Sequence, residues 1–253
     1  MSKIVFITGA TSGFGEACAL RFASEGYDII ATGRRSSRLD ELKERIEAAH
    51  GVRVLPLTFD VRDRNSVFEQ VAGMPKDWRA IDVLVNNAGL ALGRDYFDEA
   101  SLEDWETMID TNVKGLLYVS KAVIPLFIEQ GKGHIINMGS IAAKEVYEKG
   151  NVYCASKSAV DAISRSMRID MRRHGLKVTA IHPGAAETEF SVVRFKGDEG
   201  EAQKIYDGFT PLSAEDVADV VYYCASLPPH VCINDLVITC TAQADAIYFN
   251  KKV

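Results

Sequence analysis

Long apolar runs, an excess of basic residues and paired cysteines are all missing from this sequence. No apolar run approaches the roughly 20 residues that a spanning helix needs, so no membrane partner is expected. Lys and Arg total 29 against 35 Asp and Glu, a net charge of -6. That balance argues against nucleic-acid binding, which needs a basic face to neutralise phosphates. The five cysteines, Cys18, Cys154, Cys224, Cys232 and Cys240, are odd in number and form no C-x-x-C pair. Neither a disulfide framework nor a zinc site is suggested, no metal is expected, and buried thiols in a reducing cytoplasmic compartment are the default reading. The N-terminal run Ile4-Val5-Phe6-Ile7 stops at Thr8-Gly9, too short for the core of a secretory signal. Repeats, low-complexity tracts and Pro/Gly/Ser-rich linkers are absent too. The 253 residues, 47% of them apolar, are therefore expected to form a single domain over 1–253 with a sizeable core.

What is present is an alternation of short β-branched runs with amphipathic stretches. Strands are expected over Lys3 to Thr8, Tyr27 to Thr32, Val52 to Thr58, Ile81 to Val85, His134 to Met138, Lys177 to Ile181 and Leu236 to Thr239. Helices are expected from Glu16 to Ser24, from Ser101 onward with Trp105, Met108, Ile109, Val113, Leu116 and Leu117 inward, and from Ser213 to Ser226. The alternation is what a parallel sheet requires, so the predicted fold is α/β: a doubly wound (Rossmann) parallel seven-stranded sheet with helices on both faces.

Several residues carry chemistry within this frame. Tyr153 and Lys157 are four apart in a helix-like stretch and so share one face. A fixed ammonium can draw a phenol toward acid or base work near neutrality, although such a pair also arises by chance. Thr8 to Gly15 reads strand, glycine turn, helix, and Gly9, Thr11, Ser12, Gly13, Phe14 and Gly15 form either a pyrophosphate cradle or an ordinary tight turn. Arg34 and Arg35 stand where an NAD-preferring chain would carry an acid. Two guanidinium forks there suit a 2′-phosphate and point to NADP, the bland alternative being a solvated basic turn. At Phe59-Asp60-Val61 a carboxylate could meet the adenine amino group, while an N-cap role for Asp60 or Asp63 competes equally. Asn112 interrupts an apolar pattern and must either bond nearby backbone or feed a water to the site. Ser140, at a strand's C-terminal end, could polarise a substrate carbonyl. The charged segment at about 184–212 is the expected lid. Within it Arg194 could hold a substrate carboxylate, or pair with Glu187, Glu189 or a neighbouring subunit.

Taken together, Thr8 to Gly15, Asn86-Asn87-Ala88-Gly89, Asn112, Ser140, Tyr153 with Lys157, and Pro183-Gly184 followed by Thr188 resemble the short-chain dehydrogenases/reductases over essentially the whole chain. The resemblance implies an oxidoreductase using NADP, with Tyr153 as acid and base, Lys157 lowering its pKa and holding the nicotinamide ribose, Ser140 orienting the substrate oxygen and Asn112 completing a water relay. It also implies cofactor contacts from Asn87, Ala88, Gly89, Pro183, Gly184, Ala186 and Thr188. Thr188 to Ser191, Val193 to Asp198 and Leu227 to Val231 further resemble the NADP-dependent 3-hydroxy-acid dehydrogenases. That likeness implies small substrates such as serine, allo-threonine or 3-hydroxypropionate, and a homotetramer. Ala185-Ala186-Glu187, Cys154 and Ser156 depart from the group's usual residues. A broad carbonyl or 3-oxoacyl reductase is the nearest rival, and a non-catalytic NADP sensor a remote one. Ala246, Ile247, Tyr248 and Phe249 could pack on a partner or at home.

Overall fold

Continuous apolar runs become strands where both of their faces are covered. In the computed structural model, which describes residues 2–252, seven strands form one sheet, the central ones buried on both faces and the edge strands partly exposed. They are Ile4–Thr8 (β1), Asp28–Gly33 (β2), Val54–Thr58 (β3), Val83–Asn86 (β4), His134–Met138 (β5), Lys177–Pro183 (β6) and Asp235–Ile238 (β7). Every pairing is parallel, in the order β3-β2-β1-β4-β5-β6-β7. Chain order reverses beside β1, so a crevice opens at the C-terminal ends of β1 and β4.

The helices are Gly13–Ser24 (α1), Ser36–His50 (α2), Arg64–Ala72 (α3), Leu102–Ile109 (α4), Leu116–Gln130 (α5), Asn151–Met171 (α6), Glu189–Arg194 (α7), Glu199–Lys204 (α8) and Ala214–Ser226 (α9). Side chains alternate across a strand, and β1 sorts the core accordingly. Val5 and Ile7 pack with Phe22 of α1, Leu42 of α2 and Val217 of α9. Ile4 and Phe6 pack with Val67 of α3 and Val123 and Phe127 of α5. Fully burying each such side chain contributes about 1.5–3 kcal/mol.

Strand ends shift by one or two residues from the sequence reading at β2, β3, β4 and β7, and three larger details differ. First, β6 runs on through His182 and Pro183, because β7 supplies the partners Val237 and Ile238 beside them. Second, α1 begins at Gly13 rather than Glu16, so the glycine stretch is itself the helix start. Third, the helix entered at Ser101 is interrupted. Ser101 caps α4 by accepting from the Asp104 N–H, but Asp110–Gly115 forms a π-helical turn before α5. The wider turn shifts the register of the face. Thr111, Asn112, Gly115 and Leu116 are buried, whereas Leu117, expected inward, is exposed. Gly115 is bare where a Cβ would lie 2.7 Å from Val61.

Candidate active site

The glycine turn between β1 and α1 is shaped by close approach. Gly9 has φ +68°, and a Cβ there would sit 3.0 Å from Ala88 Cα. A Cβ on Gly15 would fall 2.1 Å from the Gly9 carbonyl oxygen. Gly15 therefore lets the helix close on the turn and lies behind the wall of the cavity rather than in its lining, a correction to its expected cofactor contact. Asn87 ties β4 to β1: its side-chain amide donates to the carbonyls of Thr8 (2.9 Å) and Gly9 (3.2 Å). The N–H groups of Asn87 and Ala88 both donate to Thr8 Oγ1.

Above these strand ends lies a cavity of about 1110 Å³. Every expected cofactor residue except Gly15 lines it, including Thr11, Ser12, Gly13, Phe14, Arg34, Arg35, Asp60, Val61, Ala88, Gly89, Pro183, Gly184, Ala186 and Thr188. Ser140, Tyr153, Lys157 and Arg194 line it too. The volume, the bare glycine floor at a helix start and the basic residues after β2 fit a dinucleotide carrying an extra phosphate. Arg35 donates to Thr11 Oγ1 (2.9 Å) and Ser12 Oγ (2.9 Å), and it meets Glu189 of α7 at 3.2 Å. Arg34 is more exposed and stands 3.9 Å from Asp60. The cap of α3 is Asp63, which accepts from the Asn65 and Ser66 N–H groups, so Asp60 is left to pair with Arg62 at 2.7 Å.

At the catalytic end, Tyr153 and Lys157 project from the first two turns of α6. Lys157 Nζ donates to the Met138 carbonyl (2.9 Å) at the end of β5, and no hydrogen bond joins it to Tyr153. Burial lowers its pKa to about 8. Burial likewise pushes the Tyr153 phenol above its ordinary value, with Tyr147 acting in the same direction; the Ser140 hydroxyl and Arg194 oppose it. In this geometry desolvation dominates both groups. Ser140 Oγ accepts from the Ala142 N–H (3.1 Å), which occupies a lone pair and leaves the hydroxyl proton available for donation.

Asn112 is fully engaged. It exchanges two bonds with the Leu90 backbone, both 2.8 Å, and donates to Ser156 Oγ at 3.0 Å. It does not line the cavity, so of its two expected roles the side chain takes the one that bonds nearby backbone.

Arg194 is only 9% exposed. It donates to Gly93 O (3.3 Å) and Tyr147 Oη (3.0 Å), and its guanidinium lies 5.5 Å from the centre of the Tyr153 ring. No carboxylate among the described residues reaches it; Glu189, one of its expected partners, is held by Arg35 and Arg38 instead. Tyr147 and Gly93 belong to the site although nothing in the sequence marked them, and Phe190, which packs 5.7 Å from Tyr153 centre to centre, was marked only as part of the resemblance at Thr188 to Ser191. They sit in aperiodic loops or a one-turn helix, where spacing carries no signal. Cys154 packs behind Tyr153 in the same small cluster.

The family model described as short chain dehydrogenase matches residues 3–198. The chain belongs to that family. It is 49% identical over 244 residues to NADP-dependent 3-hydroxy acid dehydrogenase YdfG of Salmonella typhi, covering 96% of this chain and 97% of that protein. It is 48% identical over 245 residues to sulfoacetaldehyde reductase 2 of Chromohalobacter salexigens, covering 96% of each. Among solved structures, the closed form of serine dehydrogenase complexed with NADP+ is similar at 47% identity and a TM-score of 0.91, over 99% of this chain and 100% of that one.

Proposed function

We propose that this short-chain dehydrogenase interconverts a small hydroxy acid and its oxo form, with the substrate's anionic end on Arg194. The cofactor is NADP, as it is for the 3-hydroxy acid and serine dehydrogenase relatives. The observation that carries the reading is a nearly buried guanidinium that meets neutral partners alone, beside the phenol expected to move the proton. A buried cation with no counter-charge is costly, and an anionic substrate would offset that cost.

Bound NADPH would supply the hydride in reduction, and NADP+ would accept it in oxidation. Tyr153 gives its phenolic proton to the carbonyl oxygen in reduction and takes it back in oxidation. Ser140 donates to the same oxygen, its own lone pair held by the Ala142 N–H. Lys157 has two donors beyond its bond to Met138 and offers them to the nicotinamide ribose, its charge favouring the phenolate in the loaded site. Arg35 and Arg34 take the 2′-phosphate, with Glu189 giving way. The segment at about 184–212, which contains α7 and α8, acts as the lid. Asn112 holds the π-helical turn in place by bonding Leu90 and Ser156.

The relatives bear on the anion. A 3-hydroxy acid ends in a carboxylate and sulfoacetaldehyde in a sulfonate, and Arg194 suits either. We further infer a cytoplasmic homotetramer. The five free thiols support the first part, and exposed Leu102, Leu117, Ile128 and Ile169 on α4, α5 and α6 support the second. No helix among the described residues is long and apolar enough to cross a membrane. The test is initial-rate kinetics with NADP and NAD on serine, allo-threonine, 3-hydroxypropionate, isethionate and a neutral alcohol. Acids turned over with NADP in preference to the neutral alcohol support the reading; a preference for the neutral alcohol overturns it.

A further inference from the structure

His182 is the most buried ionisable side chain near the site, with no measurable exposure, and the reaction as described makes no use of it. It lies at the end of β6, beside the turn that carries Ser140. Its Nδ1 is 3.1 Å from the Ser140 carbonyl oxygen, and the Ser140 N–H donates to it across 3.4 Å. The imidazole also lies directly against Gly139: a Cβ there would be 2.3 Å from Nδ1 and 2.6 Å from Cε1. Gly139 is bare because the ring occupies that space.

The far side of the ring faces charge. Nε2 is 3.0 Å from Asp235 on β7 and 3.6 Å from Asp161 on α6, one helical turn past Lys157, without a hydrogen bond to either. Lys144, at the end of the short turn that Ser140 begins, contacts Asp235 at 2.5 Å and Asp161 at 3.1 Å. Arg165 also meets Asp161 at 3.2 Å, and Arg168 adds positive charge toward Asp235. The carboxylates and imidazole lie close enough together to resemble a metal-ligand set, yet the Lys144 ammonium already supplies the cation to both carboxylates. The segment from Gly139 to Lys144 is thereby clamped at both ends, by His182 at Ser140 and by the two carboxylates at Lys144.

We propose that His182 is a positioning residue: wedged against Gly139 with Nδ1 at the Ser140 backbone, its imidazole holds the Gly139–Ser140 peptide so that the Ser140 hydroxyl faces the substrate. This rests on Ser140 orienting the substrate oxygen. A small displacement of such a group costs far more in turnover than in cofactor binding.

The test is kinetics on purified full-length protein for His182→Leu, His182→Asn, Asp235→Asn, Ser140→Ala and the double variant Ser140→Ala/His182→Leu. His182→Leu is expected to lower kcat about 10- to 100-fold with the KM for NADP within about twofold. Asn places an amide near the Nδ1 position whose oxygen can accept from the Ser140 N–H, and it is expected to recover most of the loss. In the Ser140→Ala background, His182→Leu is expected to change kcat by no more than about twofold, because its effect passes through Ser140. An undiminished effect in that background, or no change in kcat with His182→Leu alone, overturns the proposal. If the Leu variant loses its thermal transition, Asp235→Asn at the sheet edge keeps the question answerable. It is expected to lower kcat about threefold or more at unchanged KM for NADP, and an unchanged kcat counts against the proposal. Near-normal turnover by Ser140→Ala overturns the role of Ser140 and this inference with it. An inactive Ser140→Ala beside a fully active His182→Leu overturns the inference alone.

Discussion

Arg35 and Arg194 line the same cavity and are held in opposite ways. Arg35 is 44% exposed in its side chain and is met by Glu189, Thr11 and Ser12. Arg194 is nearly buried and meets a carbonyl and a phenol. An exposed ion pair contributes about 0–1 kcal/mol, so Glu189 is a weak competitor that a phosphate can displace. A buried guanidinium with neutral partners is a standing cost that only an anion offsets. The difference separates two kinds of selectivity, a screened and adjustable one for the cofactor and a steeper one for the substrate.

The substrate end would be broken most completely at Tyr153. Tyr153→Phe is expected to lower kcat roughly 10²- to 10⁴-fold while NADPH binding, followed by its fluorescence, stays near wild type. A variant with near-normal turnover would place the proton donor elsewhere and detach Arg194 from the chemistry.

Lys157 sharpens the contrast through stability. Its folded pKa of about 8 lies below the unfolded value near 10.4, so the unfolded chain holds the extra proton between them. Stability therefore rises with pH from about 8 to about 10.5, and at pH 7 the buried charge costs on the order of 3 kcal/mol. Lys157→Met is expected to raise the midpoint of thermal unfolding at pH 7, to flatten that pH dependence and to weaken turnover. A lower midpoint would mean that the bond to Met138 outweighs desolvation.

At the cofactor end the effects are smaller. Arg35→Ala is expected to raise the KM for NADP about tenfold and leave that for NAD within about twofold, one charge-assisted contact being worth about 1.5–3 kcal/mol. Equal changes for both cofactors would mean that Arg35 only braces the glycine turn. Smallest of all, Glu189→Gln is expected to lower the KM for NADP about two- to threefold, as loss of a screened competitor should.

The features legible in the sequence were those fixed by local constraint. Gly9 needs its left-handed backbone, Ser140 follows a strand end, and Tyr153 and Lys157 share a helical face, so spacing made them candidates and the family resemblance gave them roles. What spacing misjudged depends on the backbone departing from an ideal period. The π-helical turn at Asp110–Gly115 turned Leu117 outward and left Asn112 braced against Leu90. What spacing could not show depends on contacts between distant segments. Arg194 meets Gly93 and Tyr147 across 101 and 47 residues, and His182 reaches Ser140 across 42. The balance of pKa shifts was hidden for the same reason, since the desolvation of Tyr153 follows from packing rather than from its neighbour in the helix.

The most direct test of the central claim compares kcat/KM for a hydroxy acid and for a neutral alcohol of the same length, in wild type and in Arg194→Met, with NADP saturating. Loss of a charge-assisted contact predicts a fall of about 10- to 100-fold for the acid and a change within about threefold for the alcohol. Equal losses on both substrates would contradict the claim and leave Arg194 as a brace for Tyr147 and Gly93.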